Sequence, residues 1–206
     1  PLITPPLEIG DYGPSCIGKV FYITNGGLHG LEVAPSNWYE GGEGPSVAWI
    51  YGDPAKDEND EVYQKTQSTV NGNTLTAINT GLANSNAIVA QVTAAGGTTT
   101  PYAAKLALDY SVGEGTYKFD DWYLPSKDEL AQIYANRDVK RSGGFSDEGY
   151  WSSSEYGQWD AWSQWFDDGR QTEHTKAADG LSAPSVLFNK TFARNEKTVK
   201  AKNIML

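Results

Sequence analysis

The sequence predicts a loop-rich α+β fold, with short strands, hairpin turns and two to three helices. Three observations carry this. Five of the seven Trp residues (Trp122, Trp151, Trp159, Trp162 and Trp165) fall within residues 120–169, scattered among Ser, Gly, Asp and Gln rather than in a long apolar run. Aromatics spaced in this way suit a core built from short strands and loops. The 22 Gly and 10 Pro imply many turns and argue against a helix bundle. Three segments nevertheless carry helical spacing or capping chemistry. A chain of 206 residues suffices for one domain with a substantial core.

Residues 1–15 are Pro-rich and aperiodic and read as a linker or extended lead-in. Residues 16–193 are expected to form the domain, and 194–206 a basic C-terminal segment. Residues 16–25 (CIGKVFYITN) are β-rich and end at Asn25-Gly26-Gly27, a hairpin signal. Residues 30–35 supply the return strand, and 46–51 (SVAWIY) another. The acidic run 52–61 lacks apolar residues and reads as an exposed loop. Leu75, Ile78, Leu82, Ile88, Val89 and Val92 predict one helix over 74–93, weakened at Gly81 and Asn84 and ended by Gly96 and Gly97. Thr100 as N-cap and Pro101 at the first position open a second helix, with Ala104, Leu106, Ala107 and Leu108 inward. Ser126 and Glu129 form a capping box that opens a third, with Leu130, Ile133 and Tyr134 inward, to about residue 136. Strands are expected at 150–156, 159–166 and 183–193. Aromatics on both faces make 159–166 a central strand, and Asp167-Asp168-Gly169-Arg170 its hairpin turn.

The net charge is −10. From residue 186 onward Lys190, Arg194, Lys197, Lys200 and Lys202 face only Glu196, a local balance of +4 that leaves −14 on the rest. Arg137, Lys140 and Arg141 form a second basic cluster. An acidic body does not suit nucleic acid. No apolar stretch approaches the ~18 residues of a membrane span. The single Cys16 excludes an internal disulfide and a Cys-rich zinc site.

Catalytic chemistry is poorly supported. Asp120/Asp121 and Asp167/Asp168 are paired acids of the sort a glycosidase uses, but the second pair reads better as turn chemistry and the first precedes a strand. His29 and His174 lie outside any metal-ligand pattern and are expected at the surface. Cys16 has no nearby basic partner. Ser152, Ser153 and Ser154 lack a G-x-S-x-G setting. The acids Asp53, Asp57, Glu58, Asp60 and Glu61 do not have EF-hand spacing. No catalytic residue, metal or cofactor is therefore expected.

Residues 18–35 (GKVFYITNGGLHGLEVAP), 121–130 (DWYLPSKDEL) and 149–169 (GYWSSSEYGQWDAWSQWFDDG) together resemble the Lcl C-terminal domain family, the C-terminal region of a bacterial collagen-like adhesin. The resemblance implies a C-type-lectin-like fold, with a small twisted, mostly antiparallel sheet, two to three helices and long loops, on a secreted or cell-surface protein. It also implies a homotrimer, because a collagen stalk is three-stranded; such a stalk, like any secretion signal, would lie upstream of Pro1. Trp122, Trp151 and Trp162 match family positions and are expected in the core, while Trp159, Trp165 and Tyr156 are less constrained. The family's closing Arg strand is replaced here by residues 185–190 (SVLFNK).

The resulting expectation is a non-enzymatic adhesion module that binds sulfated polysaccharide or a host-surface glycan. Lys190, Arg194, Lys197, Lys200 and Lys202 would carry the ligand, with Arg137, Lys140 and Arg141 as a second cluster. The rival readings are a receptor-binding tip, as on a phage tail, for protein or neutral glycan, and more weakly a glycan hydrolase.

Overall fold

The structure, a computed structural model, describes residues 5–36, 38, 45–50, 65–66, 74–97, 101–138, 144–177 and 189–193, the last by backbone alone. The α+β class holds, with the strands divided between two three-stranded antiparallel sheets.

The first sheet is a hairpin of β1 (Lys19–Thr24) and β2 (His29–Val33), with β6 (Asn189–Ala193) added to β2. The tight connection requires left-handed backbone, and Asn25, Gly26 and Gly27 take φ of 49°, 63° and 83°. The lead-in is tied to this layer from Leu7 on. Leu7 N–H donates to Gly27 O, Gly10 N–H to Val20 O and Val20 N–H to Asp11 O. This covers the outer edge of β1, which would otherwise offer unpaired backbone groups.

The second sheet orders β3 (Gly149–Glu155), β4 (Asp160–Trp165) and β5 (Gln171–Thr175), with β4 central as its two-faced aromatics imply. The turn after β4 closes through Trp165 N–H to Arg170 O and Gly169 N–H to Trp165 O, with Gly169 at φ 79°. Adjacent strand residues point to opposite faces. Trp151 accordingly enters one core cluster, with Trp49, Trp122, Ile88, Ala104 and Ala161. Tyr150 enters the other, with Phe21, Leu31, Leu130, Ile133 and Phe166.

Three helices complete the body. α1 (Gly81–Ala94) begins seven residues later than its periodicity predicts. Asn84, placed by sequence as a weak point, ties down the preceding segment: its side chain accepts from Leu75 N–H and donates to Leu75 O and Ser153 Oγ. Gly81 is the first helical residue, and it must be glycine because a Cβ there would meet the Glu129 carboxylate, the Tyr123 ring and Leu124 O. The predicted stop is a Schellman turn, Gly97 N–H to Val92 O and Gly96 N–H to Thr93 O with Gly96 at φ 90°.

α2 (Ala103–Asp109) starts after Tyr102, which makes no side-chain cap. Ala103 N–H is satisfied instead by Ala48 O, so Pro101 stands before the helix; Thr100 lies outside the described residues. Ala103, Ala104 and Ala107 form its buried face, with Leu106 and Leu108 half-buried. α3 (Lys127–Asn136) opens on the expected capping box, Ser126 Oγ accepting from Glu129 N–H and the Glu129 carboxylate from Ser126 N–H.

The strand predicted at 46–51 is not one over its described residues, 46–50. Its groups bond singly to separate elements: Trp49 N–H to Lys176 O and Trp49 Nε1–H to Ser152 O, while Val47 O accepts from Trp151 Nε1–H. The segment is apolar because it fills the core. The expected exposed loop at 52–61 lies outside the described residues, as do 183–188 of the expected last strand.

Candidate functional site

The turn between β3 and β4, residues 156–159, presents aromatic side chains on a fixed backbone. Tyr156 N–H and Gly157 N–H both donate to Asp160 O, at 3.0 and 3.1 Å. Lys176 N–H donates to Trp159 O at 2.9 Å, and its ammonium to Gln158 O at 2.9 Å. Despite these ties Tyr156 is 56% exposed and Trp159 51%. Tyr156 meets Trp162 edge-on, ring centroids 4.9 Å apart. The Lys127 ammonium sits over Trp162, 3.5 Å from the ring centroid. Lys127 is itself held by its backbone, N–H to Ser154 Oγ and O from Gln171 Nε2. Trp162 pairs in register with the exposed Glu173. The result is a ledge of Tyr156 and Trp162 bordered by Lys127, Gln171 and Glu173, with Trp159 exposed on the same turn.

Trp162 is thus half-buried at the surface, unlike Trp122 and Trp151, which are in the core as expected. The N-terminus of α3 reaches the ledge but offers no anion site. Its first N–H groups are consumed by Ser154 Oγ, Thr76 O and Ser126 Oγ. Lys127 is already engaged with Trp162, and Asp128, Asp160 and Glu173 add negative charge nearby. The ledge suits uncharged, partly apolar rings better than polyanions.

Of the sequence-predicted basic residues, Lys140, Arg141, Arg194, Lys197, Lys200 and Lys202 lie outside the described residues. Lys190 belongs to β6, where the register sets it opposite Glu32, a fully buried carboxylate that accepts from Ser15 N–H and Oγ–H. Arg137 is half-buried and used locally. Its guanidinium stacks 3.8 Å over Tyr134 and donates to Tyr134 O at the end of α3. It lines a cavity of about 350 Å³ with Asp138, Gly144, Phe145, Asp147 and Phe166, whose two carboxylates would repel sulfate.

The remaining candidates have structural duties. His174 is not in a polar surface loop; it lies half-buried on β5 between Trp151 and Trp165, ring centroids 6.0 and 5.9 Å away. Its Nδ1 is 2.9 Å from Ser163 Oγ, which donates to Thr172 O, so that oxygen is placed to accept from Nδ1–H. Ser163 is 1% exposed, out of reach of a substrate. His29 is exposed at the start of β2. Asp167 and Asp168 accept turn N–H groups, as read from sequence. Asp120 pairs with Lys118 at 3.0 Å. Cys16 is a free exposed thiol. Among the described residues no group of His, Cys, Asp and Glu could hold a metal ion, and no helix is long and apolar enough to cross a membrane.

Sequence reasoning flagged Tyr156, Trp159 and Trp165 as unconstrained but did not join Lys127 to Trp162. The two are far apart in the chain, and only the packing of α3 on the second sheet brings them together. Lys176 carried no sequence signal. No family model matches the chain, and no curated protein matches it at a significant level.

Proposed function

We propose that this protein is a non-enzymatic glycan-binding module whose exposed turn aromatics, Tyr156 and Trp159, pack against neutral sugar rings. The observation that carries this is the exposure of Tyr156 and Trp159 on a turn tied down by four hydrogen bonds. Large aromatics kept in water on a rigid backbone suit binding, because little ordering remains to be done on contact. Glu173, exposed and in register with Trp162, supplies an acceptor for sugar hydroxyls at the edge of this patch. The resemblance to the Lcl C-terminal domain family points the same way, toward a C-type-lectin-like adhesion module on a secreted or cell-surface homotrimer. A glycan array read at low and high salt tests this. Neutral glycans should bind with little salt dependence; an array with no neutral binder overturns it. The trimer would give three times the 22.4 kDa chain mass in light scattering; a monomer mass refutes it.

A second reading is favoured by the charge asymmetry, +4 from residue 186 onward on an otherwise acidic chain. Under it a sulfated polysaccharide docks on the basic C-terminal segment, and its binding falls steeply with ionic strength.

A further inference from the structure

Lys176 is fully buried, yet it lies in an unremarkable sequence, Thr-Lys-Ala-Ala-Asp. A buried ammonium must be paired and hydrogen bonded, or its desolvation goes uncompensated. It forms an ion pair with Glu155, donates to Gln158 O and lies 5.1 Å from the centroid of the Trp49 ring. Its backbone donates to Trp159 O and accepts from Trp49 N–H. Glu155 ends β3 immediately before Tyr156, and its backbone N–H donates to Thr74 Oγ1. One amine therefore grips both sides of the turn: the carboxylate before Tyr156 and the carbonyl before Trp159.

We propose that Lys176 is a positioning residue for the aromatic ledge, fixing Tyr156 and Trp159 for a neutral glycan from beneath. This rests on the glycan reading of the ledge. Lys176 never meets the ligand; it acts through Gln158 and Trp159. The ion pair's placement explains why a costly buried charge sits under a surface turn: the apolar core alone could fill the space, but not hold a carbonyl.

The test replaces both charges together, Glu155→Met with Lys176→Met, in the full chain. Exchanging a buried pair for apolar residues of similar volume is often neutral for stability, so Tm should stay near the parent's. Exchange of the Tyr156 and Gly157 amides with solvent should rise roughly ten-fold as the turn opens more often. Affinity for the best neutral glycan of the array should fall about five- to ten-fold. Unchanged amide exchange overturns the inference, whatever binds, because that readout needs no ligand. Faster exchange with no neutral glycan bound by the parent leaves the tether standing and overturns the glycan reading beneath it, and with it the assignment of Lys176 to ligand positioning. Should the double variant not fold, the parent decides. Its Lys176 ammonium should give resolved, slowly exchanging side-chain resonances; an ammonium in fast exchange with water overturns the proposal.

Discussion

The Lys127 ammonium lies 3.5 Å from the centroid of the Trp162 ring, so one aromatic of the ledge is already capped by the protein's own cation. The neighbouring aromatics, Tyr156 and Trp159, remain more than half exposed. They are the ones open to a ligand.

Tyr156→Ala and Trp159→Ala should each weaken neutral-glycan binding by roughly ten-fold, the usual size of an aromatic anchor's contribution. Both side chains are mostly in water, so Tm should barely move. Lys127→Ala should have a smaller effect on binding, since it removes a cation–π contact worth only ~0.5–1 kcal/mol at an exposed site. Titration calorimetry with scanning calorimetry on the three variants checks the ranking.

Gly81→Ala should destabilise the protein by about 1–3 kcal/mol, the cost of overpacking. Replacing Gly by Ala in a helix ordinarily helps. Here the added carbon meets the Glu129 carboxylate, the Tyr123 ring at 2.7 Å and Leu124 O at 2.8 Å. Ser126→Ala, which removes the cap of α3, should cost ~0.5–2 kcal/mol. Urea denaturation reports both; a stabilised Gly81→Ala would contradict this packing.

Burial holds the His174 imidazole below its ordinary 6.5; Arg170 acts in the same sense, and Glu173 and Asp160 oppose it. Between the folded value and 6.5 the unfolded chain binds the proton more readily. Stability contributed by neutral His174 is therefore present above that window and falls as pH drops through it. Tm measured either side of pH 6.5 should fall on acidification, and His174→Asn should fall less. Equal falls would show that His174 does not contribute.

Changing Lys197, Lys200 and Lys202 together to Glu should abolish any binding of heparin at low salt while leaving neutral-glycan binding intact. Exposed ion pairs are worth only ~0–1 kcal/mol each, so single changes should have small effects. If the triple variant binds heparin as the parent does, the basic segment is not the site. If the parent never binds it, the second reading falls.

Much of the fold was legible where local chemistry decides. The Ser126–Glu129 box, the Asn25-Gly26-Gly27 turn and the Gly96-Gly97 stop are backbone problems solved within a few residues. The central place of β4 followed from aromatics on both its faces. β5 escaped notice because Gln-Thr-Glu-His-Thr holds no apolar residue; it is an edge strand, half in water, and β4 supplies its partner. Residues 46–50 misled for the opposite reason, since burial without a partner strand leaves the same apolar run. The ledge was half legible: exposure of Trp159 and Tyr156 could be suspected from their polar neighbours. Lys127 and Lys176 could not, because both act across the chain through tertiary packing.

Leu7 bonds to Gly27 while Ala193 pairs with His29, so the folded body opens and closes beside one hairpin. The lead-in and β6 flank the hairpin on opposite sides, so about three strand spacings of ~4.8 Å separate them. Both points lie at the turn end of that hairpin, on one side of the described body. A permuted chain in which a short linker joins residue 7 to residue 193 should therefore keep both sheets.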